Sequence, residues 1–169
     1  ANMGFLKDKF LKCLSRIKLA IEGYEQRERL ASYKKVGSNV YFQQPYCHAN
    51  PENISIGNHV SFAAFVHIWG AGGVEIGNNC MIASHCAITS TTHNPKNILF
   101  NSENIHAPVK IGNNVWIGAH VVIFPGVEIG DNVIVGAGSV VNKNLEKNAV
   151  YAGVPCRLLY KLERNETEN

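Results

Sequence analysis

Charged residues and long apolar runs are both scarce in this 169-residue sequence. Charged residues make up 17% of the chain and hydrophobic residues 46%, which is the composition of a soluble globular protein. No run is long or apolar enough to span a bilayer, and the N-terminus lacks the apolar core of a signal peptide. Because the length also suits one domain, the sequence predicts a single soluble domain.

A set of paired cysteines is lacking as well, since the five cysteines are odd in number. A framework of disulfide bonds is therefore not expected, and this favours the cytoplasm.

A sixfold spacing of aliphatic residues fills the C-terminal half. Four of the six residues in this series are followed by glycine, and the spacing is that of a hexapeptide repeat. The series is Ile111, Ile117, Ile123, Ile129, Val135 and Val141.

A second series precedes the later members of the first by two residues, so both members of a pair point to the same side of an extended strand. Strands this short bury their apolar residues only by stacking coil upon coil. The remaining positions are mostly turn-forming residues, so we expect a β-helix with a short strand and a corner in each repeat. The second series is Val115, Val121, Val127, Val133 and Ser139.

The same pattern continues towards the N-terminus, where Ile76, Ile82 and Ile88 are six residues apart. Cys80 and Cys86 belong to the inward series, where a thiol behaves as a small hydrophobic group. Ile56 and Ile76 are separated by two residues more than three repeats require, and Gly72 with Gly73 is predicted to absorb this pair as a bulge.

The period fails completely between Ile88 and Val109. The intervening stretch is polar, ends in proline and is too long for a corner, so most of 89–108 is predicted to be a loop ejected from the coil. Long excursions from a rigid scaffold usually carry function.

The N-terminal segment differs from the rest of the chain in charge. Residues 1–35 contain nine Lys or Arg and four Asp or Glu, and apolar residues recur there at helical spacing. These features predict an amphipathic basic helix over residues 4–30. Such a helix either caps the first coil or a neighbouring subunit, or contacts an anionic membrane surface. Nucleic acid is disfavoured as a partner because the repeat body is slightly acidic and carries no reading motif.

Three segments resemble one known family. Residues 113–131, 136–141 and 152–157 are similar to the hexapeptide-repeat acyltransferases, in the branch of galactoside, maltose and nodulation-factor O-acetyltransferases. The resemblance covers about residues 54–162 and implies an all-β fold, a left-handed parallel β-helix, together with a homotrimer and acetyl-CoA as co-substrate. The predicted organisation is a helical segment at 1–35, the β-helix at 36–162 and a disordered tail at 163–169.

The resemblance also places a general base. In the family a histidine at the root of the ejected loop has this role within a Thr-x-x-His-x-Pro-like stretch, which here is Thr91-Thr92-His93-Asn94-Pro95. Transfer of acetyl from a thioester to an alcohol requires removal of the hydroxyl proton, and imidazole titrates near neutrality. His93 is therefore the predicted catalytic residue.

Small residues and cations of the last coils are the predicted donor site. The resemblance implies that the pantetheine arm of coenzyme A runs along corners with small side chains, with its phosphates near Arg157; Lys143 is added on its charge and its proximity in sequence. The predicted cofactor-binding residues are Trp116, Gly118, Ala119, Gly136, Ala137, Ser139, Lys143 and Arg157.

The acceptor site departs from the family pattern. The sugar-acetylating branch carries an Asn-x-Asn-like segment where this chain has residues 63–69, Ala-Ala-Phe-Val-His-Ile-Trp. His67 and Trp69 are candidate replacements, and His85 on an outer corner is a third candidate for the acceptor cleft.

The leading interpretation is an acetyl-CoA-dependent O-acetyltransferase that acts by direct attack on a sugar of a cell-surface polysaccharide or its precursor, without a metal. A streptogramin-type antibiotic or another xenobiotic is the alternative acceptor. A γ-carbonic-anhydrase-like zinc enzyme is less favoured, because no two of the seven histidines are five residues apart.

Overall fold

A computed structural model describes residues 3–163, so the predicted tail lies, apart from Glu163, outside the described residues. The chain divides into two compact units, residues 1–33 and residues 34–169.

The first unit contains one long helix, α1 (Met3–Ala31), which confirms the predicted N-terminal helix. Lys12 and Asp8 form an ion pair of 2.9 Å one turn apart on its surface. Several large apolar side chains of the helix, among them Phe10, Ile17 and Tyr24, are exposed. No helix of the described residues is long and apolar enough to cross a membrane.

The second unit is a parallel β-helix of short strands, as predicted. Each coil contributes one strand to each of three parallel sheets, which we call faces A, B and C. The first coil contains β1 (Lys35–Val36), β2 (Tyr41–Phe42) and β3 (Cys47–Ala49), and the second contains β4 (Ile54–Ile56), β5 (Ser61–Phe62) and β6 (His67–Trp69). The third contains β7 (Val74–Ile76), β8 (Met81–Ile82) and β9 (Ala87–Thr89), and the fourth contains β12 (Val109–Ile111), β13 (Trp116–Ile117) and β14 (Val122–Ile123). The fifth contains β15 (Glu128–Ile129), β16 (Val133–Val135) and β17 (Val140–Val141).

Two further strand pairs complete the unit. Between the third and fourth coils, β10 (Thr91–His93) and β11 (Asn104–His106) form an antiparallel hairpin. After the fifth coil, β18 (Ala149–Ala152) extends face B in parallel, and β19 (Arg157–Lys161) closes that face in the antiparallel sense.

Aliphatic columns fill the interior of the coils. Both predicted series point inward, and all of their members are buried, including Ile117, Val121 and Ser139 with no exposed surface. Cys80 and Cys86 lie in the same columns, and burial raises the pKa of each thiol. The sixfold period therefore predicted the strand register correctly.

The length of a coil changes at the loop. Ile56 pairs with Ile76, whereas Ile111 pairs with Ile129, so a coil is two residues longer before the loop than after it. The extra pair lies in a corner turn in which the Gly73 amide donates to the Gly70 carbonyl at 2.8 Å. Gly72 and Gly73 belong to this turn, so the extra pair lies where it was predicted; it forms a corner turn before β7 and not a bulge, since β7 pairs with β4 in unbroken register.

Asparagine shapes the corner between faces A and B, the A–B corner. Asn79, Asn114 and Asn132 adopt the left-handed backbone conformation there, which asparagine tolerates better than most residues. Side chains of the preceding positions link successive coils, since Asn78 Oδ1 accepts from the Asn58 amide at 2.8 Å and Asn113 Oδ1 from the Asn78 amide at 2.9 Å. This side-chain ladder satisfies amides that the sheet leaves unpaired.

Ile117→Asp is expected to abolish folding, because it places an unpaired charge in the aliphatic column. Ser61→Asp is the control, since Ser61 lies on the same face but points outward and is exposed. Circular dichroism should show cooperative unfolding for the control and none for Ile117→Asp. A folded Ile117→Asp protein would contradict the inward register.

His48 makes stability depend on pH. Its ring packs against Tyr46 and Phe42, with ring centroids 4.7 and 5.2 Å away. Burial, and secondarily the charge of His67, lower its pKa from 6.5 to about 4. The neutral imidazole is favoured in the folded state, so its full stabilisation is present above pH 6.5 and is lost as the pH falls to about 4.

The free energy of unfolding, measured by urea titration, should therefore fall by up to about 3 kcal/mol between pH 7.5 and pH 4 through this group alone. His48→Leu should remove that part of the pH dependence. An equal slope in the variant would remove His48 as its source.

Candidate active site

The ejected loop presents His93 to solvent. His93 ends β10 and pairs with Asn104 of β11, so the hairpin fixes the backbone at this histidine. Its side chain is exposed. An imidazole in this position is accessible to a hydroxyl group of a ligand.

The root of the loop is anchored by Ser90, which is completely buried. Its Oγ donates to the Trp69 carbonyl at 2.7 Å and accepts from the Gly72 amide at 2.9 Å. The Ala107 amide donates to the Ser90 carbonyl at 3.0 Å, which ties the end of the loop to its beginning. The role of Ser90 was not predicted from the sequence. The available signal was its place two positions after the inward Ile88, where a residue that continues the same strand also points inward.

Glu103 holds the two strands of the hairpin together beyond His93. Its Oε2 accepts from Asn94 Nδ2 at 2.8 Å and from Asn97 Nδ2 at 3.1 Å. These two hydrogen bonds lower the pKa of the Glu103 carboxyl. Sequence reasoning missed this residue too, because nothing in the spacing pairs it with Asn94.

Five of the predicted donor residues lie together at the corner between faces B and C, the B–C corner: Gly118, Ala119, Gly136, Ala137 and Ser139. The Gly118 amide donates to the Val135 carbonyl at 2.8 Å, and the Gly138 amide to the Ala119 carbonyl at 2.8 Å. A Cβ on Gly118 would lie 2.6 Å from the Ala137 nitrogen, so only glycine fits this close approach of two coils. Ala137 is exposed. The corner is a strip of backbone that small side chains leave accessible.

Ser139 belongs to the framework of this corner. Its buried Oγ donates to the Gly136 carbonyl at 2.6 Å and accepts from the Gly153 amide at 3.0 Å. Both hydrogen bonds are internal, so the Ser139 side chain holds the last corner in place.

Lys143 and Arg157 are exposed cations of the last coil. The Cys156 amide donates to the Val140 carbonyl at 2.8 Å, which brings the start of β19 alongside β17. Burial raises the pKa of the Cys156 thiol, and the positive charge of Lys143 opposes that rise. Cys156 directly precedes Arg157 in the chain. Lys143 follows β17 and Arg157 begins β19, so both exposed cations lie at the C-terminal end of the coil stack.

The candidate acceptor residues occupy two places. On face C, the ring of His67 meets that of Trp69 edge to face at 5.5 Å, and Trp69 pairs with Thr89 near the loop root. His85 lies at the B–C corner and stacks between two other rings, Phe65 and His120.

Trp116 lies apart from both groups. It points outward from face B, between Met81 and Ile134 of the adjacent strands, and half of its surface is exposed.

Within one chain, the predicted base and the predicted donor corner lie at different corners of the β-helix. The backbone crosses face C from Ser84 at the B–C corner to Ser90 at the loop root. An extended chain covers about 3.3 Å per residue, so the six residue steps between the two corners span up to about 20 Å. A reacting pair must approach within about 3.5 Å, which is far less than this separation.

Comparison with known proteins identifies the family. Residues 108–143 match the model of the bacterial transferase hexapeptide, six repeats. Galactoside O-acetyltransferase of Escherichia coli K12 is 41% identical over 141 residues, which are 82% of this chain and 70% of that protein. The chain belongs to the hexapeptide-repeat acetyltransferases.

Two solved structures share the fold of this acetyltransferase. A galactoside acetyltransferase in complex with coenzyme A superposes with a TM-score of 0.77 at 40% identity, over 83% of this chain and 72% of the other. A maltose O-acetyltransferase from Clostridium difficile 630 superposes with a TM-score of 0.70 at 38% identity, over 83% and 77% of the two chains. The predicted family, β-helix and enzyme class are confirmed.

Ser90→Ala should destabilise the acetyltransferase by about 1–3 kcal/mol, because it leaves the half-buried Gly72 amide without its acceptor. Ser102→Ala is the matched control in the exposed part of the same loop. The free energy of unfolding from urea titration is the measurement. Equal losses in the two variants would show that Ser90 is not the anchor.

Proposed function

We propose that this acetyltransferase transfers the acetyl group of acetyl-CoA to a hydroxyl group of a sugar. Similarity to a galactoside O-acetyltransferase and to a maltose O-acetyltransferase supports the reaction, and the coenzyme A complex of a galactoside acetyltransferase supports the donor. The single observation that carries the proposal in this chain is the exposed His93, held in a hairpin beside a β-helix whose corner leaves its backbone accessible.

His93 acts as the general base in this proposal. Its imidazole takes the proton of the acceptor hydroxyl while that oxygen attacks the thioester carbonyl carbon. The tetrahedral intermediate collapses by breaking the carbon–sulfur bond, and the proton passes from the imidazolium to the departing thiolate. Backbone amides or a neighbouring subunit stabilise the oxyanion.

The B–C corner is the proposed donor site. Ala119, Gly136 and Ala137 let the extended pantetheine arm lie against the backbone, and Gly118 lets the two coils approach closely enough to form the strip. Lys143 and Arg157 attract the phosphates at the C-terminal end. Trp116 supplies an exposed ring on the adjoining face.

A homotrimer completes the site. The separation between the root of the His93 loop and the donor corner within one chain supports a site in which one copy supplies the base and another supplies the corner. The tip of the loop supports this assembly, because Ile98, Leu99 and Phe100 are 98%, 67% and 65% exposed in the single chain. Such a cluster of large apolar side chains is typical of a surface that a partner covers.

The proposed acceptor is a sugar of a cell-surface polysaccharide or of its precursor, and His67, Trp69 and His85 are its proposed contacts. The cytoplasm supplies the acetyl-CoA. An antibiotic acceptor is not favoured, because the chain is similar to galactoside and maltose O-acetyltransferases. Within the described residues no group of three metal-binding side chains is present, and the proposed reaction needs none.

Replacing His93 with Ala should lower the rate of transfer by about 10²–10⁴, the usual scale for a general base, with little change in acetyl-CoA binding. His106→Ala is the matched control, because His106 is an exposed histidine on the opposite strand of the hairpin. Thiol release from acetyl-CoA with methyl galactoside and methyl maltoside measures both. A near-normal rate in His93→Ala would exclude His93 as the base.

The basic helix is proposed to hold the enzyme at an anionic membrane surface near a lipid-linked acceptor. Its exposed apolar residues and its lysines support this proposal. Binding to vesicles that contain phosphatidylglycerol should weaken as the salt concentration rises, because dissolved ions screen the attraction between exposed charges beyond about 10 Å at 0.1 M salt.

Substitution of Lys7, Lys9, Lys12 and Lys18 with Gln should abolish vesicle binding and leave acetylation of a soluble sugar intact. Co-sedimentation measures the binding. If the wild-type protein does not bind anionic vesicles at low salt, the membrane proposal is wrong and the helix is a cap only.

A further inference from the structure

Two histidines of consecutive coils stack at the B–C corner. His85 belongs to the third coil and His120 to the fourth, and their ring centroids are 4.7 Å apart with an interplanar angle of 17°. Both side chains are exposed. The ejected loop separates the two residues in the sequence, so the stacking of the coils is what brings the two imidazoles together.

The backbone and a third ring hold the two imidazoles in place. His85 and His120 have φ values of 60° and 58°, both in the left-handed region. The His120 amide donates to the Ser84 carbonyl at 3.0 Å, which fixes the register of the two corners. The His85 ring also stacks on Phe65 at 4.7 Å, so it is held between two other rings. The pair is therefore preorganised in the folded chain.

The ring nitrogens of the pair are not used within the chain. Among the described residues, neither imidazole forms a hydrogen bond or an ion pair. His59 at the A–B corner differs, because its Nδ1 lies 3.3 Å from Asn39 Nδ2. A neutral imidazole has one ring nitrogen with a free lone pair, and such nitrogens are the commonest protein ligands of transition metals. The two stacked rings thus offer two metal ligands.

The spacing of the rings suits a shared metal ion. A metal–nitrogen bond of about 2.1 Å places two nitrogens on one ion roughly 3–4 Å apart. The ring centroids are 4.7 Å apart, and the last torsion of a histidine side chain has a broad energy well. A small rotation of each ring therefore brings one nitrogen of each within the span that one ion requires.

Space for further ligands lies on the C-terminal side of the pair. Gly138 occupies the equivalent place in the fifth coil, since its amide donates to the Ala119 carbonyl as the His120 amide does to Ser84. A Cβ built on Gly138 would meet no atom within 4 Å. Water molecules can therefore complete the coordination of an ion beside His120.

The side chains around the pair select the kind of metal. Mg²⁺ and Ca²⁺ prefer oxygen ligands, and the corner segments 83–87 and 118–122 contain no Asp or Glu. The Cys86 thiol is buried and donates to the Gly118 carbonyl at 3.0 Å, so it lies inside the coil. Imidazole nitrogen as the protein ligand suits Zn²⁺, Cu²⁺ and Ni²⁺.

We propose that His85 and His120 bind one divalent transition-metal ion of the Zn²⁺ and Cu²⁺ class, with water in the remaining positions. Two imidazoles are fewer protein ligands than a structural or catalytic zinc site has, so binding is reversible and the ion takes no part in the reaction. Its effect is inhibition, because it lies beside Ala119 on the strip of backbone where the donor arm is proposed to bind. The site does not depend on the proposed function, but the inhibition does.

Isothermal titration of the whole chain with ZnCl₂ tests the site. His120→Asn should weaken the binding of Zn²⁺ by about tenfold or more, because one imidazole remains. Asparagine adopts the same left-handed conformation at Asn114, so this variant should keep the fold. His59→Asn is the matched control, since His59 is an exposed left-handed histidine whose ring nitrogen contacts Asn39 and not a second imidazole. The control should leave the Kd unchanged.

Electron paramagnetic resonance with one equivalent of Cu²⁺ identifies the ligands directly. Hyperfine splitting from two imidazole nitrogens is expected in the wild type and from one in His120→Asn. Equal affinity for Zn²⁺ in the wild type and in His120→Asn would overturn the proposal, and so would a wild type without measurable binding.

Inhibition is a separate readout. Zn²⁺ should raise the KM for acetyl-CoA of the wild type above its own metal-free value, and the same concentration should have less effect on His120→Asn. Binding that leaves this KM unchanged would contradict the inhibition and separate the ion from the donor strip. A wild type that releases no thiol with any sugar would contradict the proposed function, while the titration with Zn²⁺ still tests the metal site.

Discussion

Burial of aliphatic side chains between consecutive coils is the interaction on which the rest of the structure depends. No strand of the five coils is longer than three residues, so none of them hides its apolar side chains by itself. The columns formed by residues such as Ile82, Ile117 and Val135 are instead continuous from coil to coil, and each coil adds apolar area that the next one removes from water. Because the columns fix the register, they also fix where every corner lies, including the corner of the proposed donor site and the corner from which the His93 loop departs.

Glycine, asparagine and aromatic residues have different roles at the corners. Gly118 permits the closest approach of two coils, and the asparagines of the A–B corner supply the left-handed conformation together with a hydrogen-bonded ladder. At the B–C corner the same backbone conformation is given to Phe65, His85 and His120. The scaffold thus repeats one geometry and varies the side chain that it displays, and this lets a regular β-helix present an irregular site.

Much of the fold was predictable from the sequence because the signal is periodic. The spacing of Ile111 to Val141 predicted the buried columns, and the loss of period after Ile88 predicted the loop that carries His93. The position of the extra two residues at Gly72 and Gly73 was predicted correctly but their form was not, because two adjacent glycines are equally compatible with a bulge and with a corner turn. Ser90 and Glu103 were missed, since their partners at the loop root and in the hairpin are set by tertiary contacts and leave no regular spacing. Phe65 was not singled out for a similar reason: its backbone conformation becomes visible only in the structure.

The central claim is that one copy of the chain supplies His93 and another supplies the donor corner. Co-purified mixed trimers of His93→Ala and Ala137→Trp subunits test this claim most directly, because each variant alone removes one half of every site. Random assembly at equal amounts leaves about a quarter of the sites with both halves intact, so the mixture should recover roughly a quarter of the wild-type rate of acetyl transfer. A mixture as inactive as its two parents would contradict the claim and place both halves in one chain.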